Sequence, residues 1–384
     1  MEAYLDNSAT TRCYEGVRDI VDKTMMTDYG NPSAMHRKGF EAERYVRDSA
    51  QIIAKALKVK EKEIFFTSGG TESNNWALLG AAWANRRSGN HIITTAVEHP
   101  AAAAPIQYLQ EQGFDVTILS VDDHGVLRME DVETALRKDT ILISTIYVNN
   151  EIGSVQPVEA IGKLVHQKVP GAIYHVDAIQ AFGKYKIYPG KLGIDMMSVS
   201  GHKIHGPKGI GFLYICDQIK IAPLIRGGGQ QSNMRSGTEN VPGIAGLGAA
   251  VQQIYQDHEE KTERLYQMKQ YFVERLRQMP QVSIHGMEVR EGAPHIVSAG
   301  FEGIRSEVLL HALEERNIYV SAGSACSTHK RAGSSTLTAM GVPKEQRESA
   351  VRFSFSEYTT KEELEYCLQT LREITPVLRK FTRR

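Results

Sequence analysis

Cysteine is scarce in this chain. Four residues among 384, Cys13, Cys216, Cys326 and Cys367, lie far apart and form no CxxC pair. That spacing argues against a disulfide framework and against a zinc site, so no metal is expected. Charge of one sign is not in excess either, with Lys+Arg and Asp+Glu both at 45. A balanced chain lacks the basic footprint by which proteins hold nucleic acid or an anionic membrane, and neither is expected as a partner. Long apolar runs are missing, so no segment is expected to span a bilayer. The start, Met1-Glu-Ala-Tyr-Leu-Asp6, has neither a basic n-region nor an apolar h-region. These absences place the expected location in the cytoplasm.

What is present is an α/β pattern. Hydrophobic residues make up 41% of the chain, enough for one large domain and a smaller one. Ile64-Phe-Phe-Thr67, His91-Ile-Ile-Thr-Thr95, Val116-Thr-Ile-Leu119, Ile141 to Val148, Ala172 to Asp177, Met196 to Val199 and Gly209 to Ile215 read as buried strands. Helical stretches between most of them predict βα units around a mostly parallel central sheet. Near residue 256 the character changes. Leu265, Met268, Phe272, Leu276 and Met279 recur at spacings of three and four, which predicts a long amphipathic helix stopped by Pro280. Strands over 282–284, 296–301 and 318–320, with a helix over 306–315, then predict a small C-terminal α/β domain. The expected division is 14–255 and 256–384, with residues 1–13 packing on the second domain.

The chemistry concentrates at Ser198-Val-Ser-Gly-His-Lys203. A lysine at the end of a core strand is costly unless its amine is held for a purpose, and the commonest purpose is a Schiff-base nucleophile. Ser200, Gly201 and His202 beside it offer hydroxyl, bare backbone and imidazole donors for an anion such as a phosphate ester. Together these describe a pyridoxal-phosphate lysine. The alternative is a loop lysine beside a turn. A second apolar strand delivers Asp177 at its C-terminal end, and parallel sheets bind ligands at that rim. A carboxylate there would hold a proton on a pyridine nitrogen; alone, an aspartate such as Asp177 is more often a helix cap or turn residue.

Ser68-Gly-Gly-Thr71 opens a helix after the first core strand, an arrangement whose first-turn amides cradle anions, with Ser68 or Thr71 as an ordinary cap in the alternative. His99, just after another strand, is placed to stack on a flat ring or pass protons, or is simply a structural histidine. The loops Arg226-Gly-Gly-Gly-Gln-Gln231 and Met234-Arg-Ser-Gly-Thr238 carry more hydrogen-bonding groups than a surface loop needs. Ser321-Ala-Gly-Ser-Ala-Cys326-Ser-Thr-His-Lys330 has no apolar anchor and is expected to form an exposed loop. A thiol there has little packing value and reads as a nucleophile or sulfur carrier.

These segments together resemble the cysteine desulfurases of the NifS/IscS-like type, in the class V aminotransferase group of pyridoxal-phosphate enzymes. The resemblance rests on Tyr4-Leu-Asp-Asn-Ser-Ala-Thr-Thr11, Gly30-Asn-Pro-Ser33 with His36, Ser68-Gly-Gly-Thr-Glu-Ser-Asn-Asn75, Val97-Glu-His99 and Val148-Asn-Asn-Glu-Ile-Gly153. It continues through His175-Val-Asp177 with Gln180, Ser200-Gly-His-Lys203, Arg235-Ser-Gly-Thr238, Gly323-Ser-Ala-Cys326 and Val351-Arg-Phe-Ser354. It implies the fold type I of these transferases. It also implies that Lys203 carries pyridoxal 5'-phosphate, Asp177 pairs with the pyridine nitrogen, Gln180 bonds the ring hydroxyl and His99 stacks on the ring. Gly70, Thr71, Ser200 and His202 would hold the phosphate, with Thr238 reaching that of the partner subunit in a homodimer. Asn150 would lie near ring and substrate, and Arg352 would clamp the carboxylate of L-cysteine. Cys326 would take the sulfur as a persulfide, leaving L-alanine, for a sulfur-acceptor protein serving iron–sulfur cluster assembly or tRNA or cofactor thiolation. Gly70 departs from the Ala of many members, and His205 replaces a frequent Tyr.

Two other readings share these residues in part. A selenocysteine lyase or class V aminotransferase would keep fold and cofactor, though a transaminase needs no thiol at position 326. A non-enzymatic sulfur-transfer scaffold would be expected to have lost one of Lys203, Asp177, Cys326 or Arg352.

Overall fold

The computed structural model describes residues 1–322 and 334–381. Its strands are β1 (Ala3–Tyr4), β2 (Ile64–Thr67), β3 (His91–Thr95), β4 (Asp115–Leu119), β5 (Thr140–Ile146), β6 (Ile173–Asp177), β7 (Met196–Ser200) and β8 (Gly211–Ile215), followed by β9 (Val282–His285), β10 (Ile296–Phe301), β11 (Ile318–Tyr319), β12 (Ser321–Ala322) and β13 (Ala350–Ser354). Seven of them form one sheet in the order β2-β8-β7-β6-β5-β3-β4. Pairing is parallel from β7 through β4, and only β8 runs against its two neighbours. The α/β class with a mostly parallel sheet is therefore as the sequence predicts.

The reason lies in burial. Every residue of β3, β5, β6, β7 and β8 is buried, so these strands read as continuous apolar or small-residue runs rather than alternating ones. Helices such as Gly70–Asn85, Pro100–Glu111 and Val158–Lys168 return the chain between parallel strands. The C-terminal ends of β2, β3, β5, β6 and β7 consequently share one rim.

A second sheet, β12-β13-β10-β9, is antiparallel throughout. The helix His258–Arg277 packs against it and against the C-terminal helix Lys361–Phe381. The former ends three residues short of Pro280, the stop the sequence suggests. Phe272, Phe301, Phe353 and Phe355 meet edge to face in this core, the arrangement aromatic quadrupoles favour. β1 pairs in parallel with β11, and Ala3 and Leu5 are buried in the same cluster. The N-terminal arm then crosses to the first sheet, where the Thr11 amide donates to the His202 carbonyl at 2.9 Å.

One local expectation needs correction. Ser321 and Ala322, read as the start of a loop, form β12 against Val351 and Arg352. The glycine-rich stretch near Gln231 serves its own chain: β2 is an edge strand, and the Gln231 amide covers it. Its Oε1 accepts from Phe66 N at 2.6 Å and its Nε2 donates to Phe66 O at 2.9 Å. A side-chain amide thus stands in for the missing neighbouring strand.

Candidate active site

The shared rim encloses a cavity of about 390 Å³. Gly70, Thr71, His99, Asn150, Asp177, Gln180, Ser200, His202, Lys203 and Arg352 all line it, joined by Asp6, Ser8, Ala9 and Ser321. Two expected site residues are not among them. Thr238 is exposed and lies outside the cavity, and Cys326 lies outside the described residues.

Lys203 closes a short 3₁₀ turn, Gly201–Lys203, directly after β7. Its Nζ donates to the carbonyls of Ser8 at 2.5 Å and Ala9 at 2.7 Å. Those carbonyls belong to the N-terminal arm, and because every residue carries a carbonyl no motif marks this contact.

Asp177 ends β6 and is 2% exposed. Its Oδ2 accepts from Asn74 Nδ2 at 2.7 Å, and its Oδ1 accepts from Ile179 N at 3.0 Å. Burial pushes this carboxyl up, against the pull of those two donors and of His99 and Lys203. A carboxyl so placed is suited to share a proton with a buried base, the role a pyridine nitrogen presents. His99 caps the helix Pro100–Glu111, its Nδ1 accepting from Ala101 N at 3.1 Å. That bond leaves the ring proton on Nε2. Burial lowers its pKa, opposed by the Asp177 charge, so the ring is neutral.

The anion cradle differs from its expected form. Gly69, at φ +143°, occupies the cap position of Gly70–Asn85, and no side chain caps that end. Ser68 and Thr71 do not fill the role; the Ser68 amide instead donates to Glu72 Oε2 at 2.9 Å. Uncapped first-turn amides are free to meet an anion. A second concavity continues from the first past Gly70, Thr71, Ser200 and His202 to Lys208, a cation the sequence reading passed over. Burial, then the charges of Lys203 and Lys208, hold His202 down at about 4. A Cβ on Gly70 would run into Ile179 Cδ1, the end of a flexible side chain. An alanine there would therefore need the Ile179 side chain to rotate away.

Arg352 sits on β13. Nη2 donates to Asp6 Oδ1 and Nη1 to the Asn150 carbonyl, both at 2.8 Å. Its Nε is buried with no hydrogen-bond partner among the described residues. Beside it, Glu151 accepts from the hydroxyls of Ser334 and Thr336, the latter at 3.0 Å. Donors for a phosphate, a carboxyl for a ring nitrogen, an amine and an unfilled guanidinium donor fit a phosphorylated pyridine aldehyde and an amino-acid carboxylate.

Residues 3–367 match the aminotransferase class-V family. The chain belongs to that family. It is 40% identical to the cysteine desulfurase IscS of Dictyoglomus turgidum across 98% of this chain and 95% of that one. It is 41% identical to the cysteine desulfurase IscS of Methanosarcina thermophila, covering 99% and 93%. Among solved structures, a NifS-like protein aligns with TM-score 0.93 at 37% identity, over 98% of this chain and 100% of that one. A structure titled SspA in complex with cysteine aligns with TM-score 0.82 at 34% identity, covering 93% and 100%. The resemblance drawn from the motifs and the fold of this class V member agree with these relatives.

Cys367 is buried, and burial raises its thiol pKa; Cys13 and Cys216 are half-buried, and all three are free. No group of His, Cys, Asp and Glu among the described residues is arranged to hold a metal. No helix among them is long and apolar enough to cross a membrane.

Proposed function

We propose that this protein is a cysteine desulfurase. It uses pyridoxal 5'-phosphate to move the sulfur of L-cysteine onto Cys326, leaving L-alanine. The observation that carries the reading is the convergence of Lys203, Asp177, His99 and Arg352 in one cavity, in a chain whose relatives bear that name along nearly their full length.

When bound, the cofactor supplies an electron sink for the carbanion density that cleavage of a Cβ–S bond needs. The chain's own groups do the rest. Lys203 would hold the cofactor and, with the Ser8 and Ala9 carbonyls as acceptors for its N–H groups, would move a proton at the substrate's Cα. Asp177 would hold a proton at the ring nitrogen, His99 would cover the ring, and Gln180 would bond the ring oxygen. Gly70, Thr71, Ser200 and His202 hold the phosphate, with Thr238 of the partner subunit completing it in a homodimer. Asn150 and Arg352 orient the substrate, the guanidinium through its planar fork. The Cys326 thiolate then attacks the substrate's sulfur. An S–S bond forms as Cβ–S breaks, the electron pair stays with carbon, and protonation yields the alanine methyl group.

The reading assigns 14–255 to the cofactor domain and 256–384 to the domain that brings Arg352 and Cys326. A reducing cytoplasm suits a thiol that must cycle through a persulfide. The sulfur would pass to an acceptor protein for iron–sulfur cluster assembly or for tRNA or cofactor thiolation.

The test is to give the purified, cofactor-loaded protein L-cysteine and measure alanine and sulfide with and without a thiol reductant. The reading expects sustained alanine with equal sulfide only when reductant is present. No alanine at all would leave a scaffold; turnover confined to selenocysteine would make it a lyase. Sedimentation of the loaded protein as a fully active monomer would remove Thr238 from the site.

A further inference from the structure

Gln180 is a point where three parts of the fold meet. It follows β6 on the rim of the large sheet, its Nε2 donates to the carbonyl of Ser8 in the N-terminal arm at 3.0 Å, and its Oε1 faces Nε2 of His295 at 3.3 Å. His295 directly precedes β10 of the small sheet, and its carbonyl accepts from Phe355 N at 2.9 Å. At 3% exposed, it is buried, and no motif in the sequence singles it out.

The hydrogen-bond roles are determined by what each atom can do. A carbonyl oxygen only accepts, so the NH₂ end of Gln180 must face Ser8. The oxygen end therefore faces His295. An amide oxygen also only accepts, so His295 must carry its proton on Nε2. Its Nδ1 is left buried without a hydrogen-bond partner among the described residues. Burial, and then the charges of Lys184, Lys269, Arg352 and Lys203, hold the ring neutral well below the usual histidine range. Doubly protonated imidazolium, which would also need a partner at Nδ1, is excluded near neutral pH.

Resting on the reading of the cavity as a pyridoxal-phosphate site, we propose that His295 is a positioning residue. Together with the Ser8 carbonyl, which takes the NH₂ end, it holds the oxygen end of the Gln180 amide, so that an N–H and not the amide oxygen would be presented to the cofactor's ring oxygen. Of the two N–H groups on Gln180, one is taken by Ser8 and the other remains for the cavity that Gln180 lines. The distinction has chemical content. A donor at that place favours the ionised ring oxygen, whereas an acceptor would favour its protonated form. His295 thereby acts on the protonation of the cofactor without touching it.

The test is a pH titration of the visible absorbance of the cofactor-loaded protein, with cofactor release measured alongside. His295→Leu removes the donor that holds the oxygen end of the amide and leaves the Ser8 carbonyl to orient it from the other end. We expect its titration midpoint to move up by about one pH unit, roughly tenfold in proton affinity. Cofactor release should quicken by about 3- to 10-fold, the range for one lost hydrogen bond. His295→Gln, which regains an N–H, restores the midpoint. Should His295→Leu fail to fold, His295→Asn, too short to reach Gln180, gives the same shift. In a Gln180→Leu background, His295→Leu adds nothing further. An unchanged midpoint in the His295 variants, or an equal shift in both backgrounds, would overturn the proposal alone. A wild-type protein that takes up no cofactor would overturn the cofactor reading and the proposal together.

Discussion

Arg352 Nη2 donates to Asp6 Oδ1 at 2.8 Å, so the guanidinium that faces the cavity is anchored by a carboxylate from the N-terminal arm. With Nη1 on the Asn150 carbonyl and Nε without a hydrogen-bond partner among the described residues, the fork is held in place with a donor in reserve. An end of the chain 346 residues away thus sets the orientation of the residue proposed to bind substrate.

Arg352→Lys keeps the charge and loses the fork. Its kcat/KM for L-cysteine is expected to fall about 10- to 100-fold, the cost of one charge-assisted hydrogen bond, with cofactor uptake unchanged. Asp6→Asn should raise KM several-fold by loosening the same guanidinium. Steady-state kinetics and cofactor absorbance check both; normal cysteine turnover by the lysine variant would make Arg352 structural.

Borohydride treatment of the cofactor-loaded protein should attach the pyridoxyl group to the peptide containing Lys203, and peptide mass mapping reads it. Lys203→Ala should be colourless after dialysis. Labelling at Lys208, the other lysine near the anion cradle, would displace Lys203 from its assigned role.

Cys326→Ser should separate the two halves of the chemistry. A serine hydroxyl is neither soft nor ionised at neutral pH. Addition of cysteine should still change the cofactor's absorbance, while alanine formation falls by at least about 100-fold. Replacing Cys13 or Cys216 should leave turnover largely intact. Rapid alanine production by the Cys326 variant would remove the thiol from the mechanism.

Glu98, beside His99, has a signature in pH. Its Oε1 accepts from Thr95 Oγ1 at 2.7 Å and Ile146 N at 2.8 Å, and Oε2 is buried without a hydrogen-bond partner among the described residues. Burial pushes this carboxyl up to about 8 from 4.5, against both donors and with a further push from Asp177. A raised carboxyl favours the protonated folded state, so its stabilisation is complete below the unfolded value and is lost as pH rises toward about 8. Glu98→Gln cannot ionise. Between pH 6 and 8 the wild type should lose roughly 1–3 kcal/mol of unfolding free energy that the variant does not lose. Urea melts across that range check it, and parallel curves for the two proteins would contradict it.

Much of this site is legible from residue order because its groups lie at strand ends. Asp177 and Ser200 end β6 and β7, and Lys203 follows within three residues. A parallel sheet brings such ends to one edge whatever the intervening sequence. Contacts made by unremarkable residues are not legible. Ser8 and Ala9 hold Lys203 through backbone carbonyls, which any residue carries. His295 meets Gln180 across 115 positions, with no periodicity linking them. Nor is the cap on Gly70–Asn85 legible: Ser68 and Thr71 are good cap residues, but Gly69 at φ +143° takes that place.

By itself the sequence determined the class of fold, the parallel rim and the identity of the groups that reach it. Those follow from local burial patterns and from which side chains can carry an amine or a carboxyl. Only the tertiary structure decided how these groups are held. Arg352 is fastened to Asp6, Gln231 seals the edge strand β2, and the Ser8 carbonyl and His295 hold the two ends of the Gln180 amide. The physical reason is that hydrogen-bond direction depends on where donors and acceptors meet in space. A sequence names the donors and acceptors, and folding alone brings each to its partner.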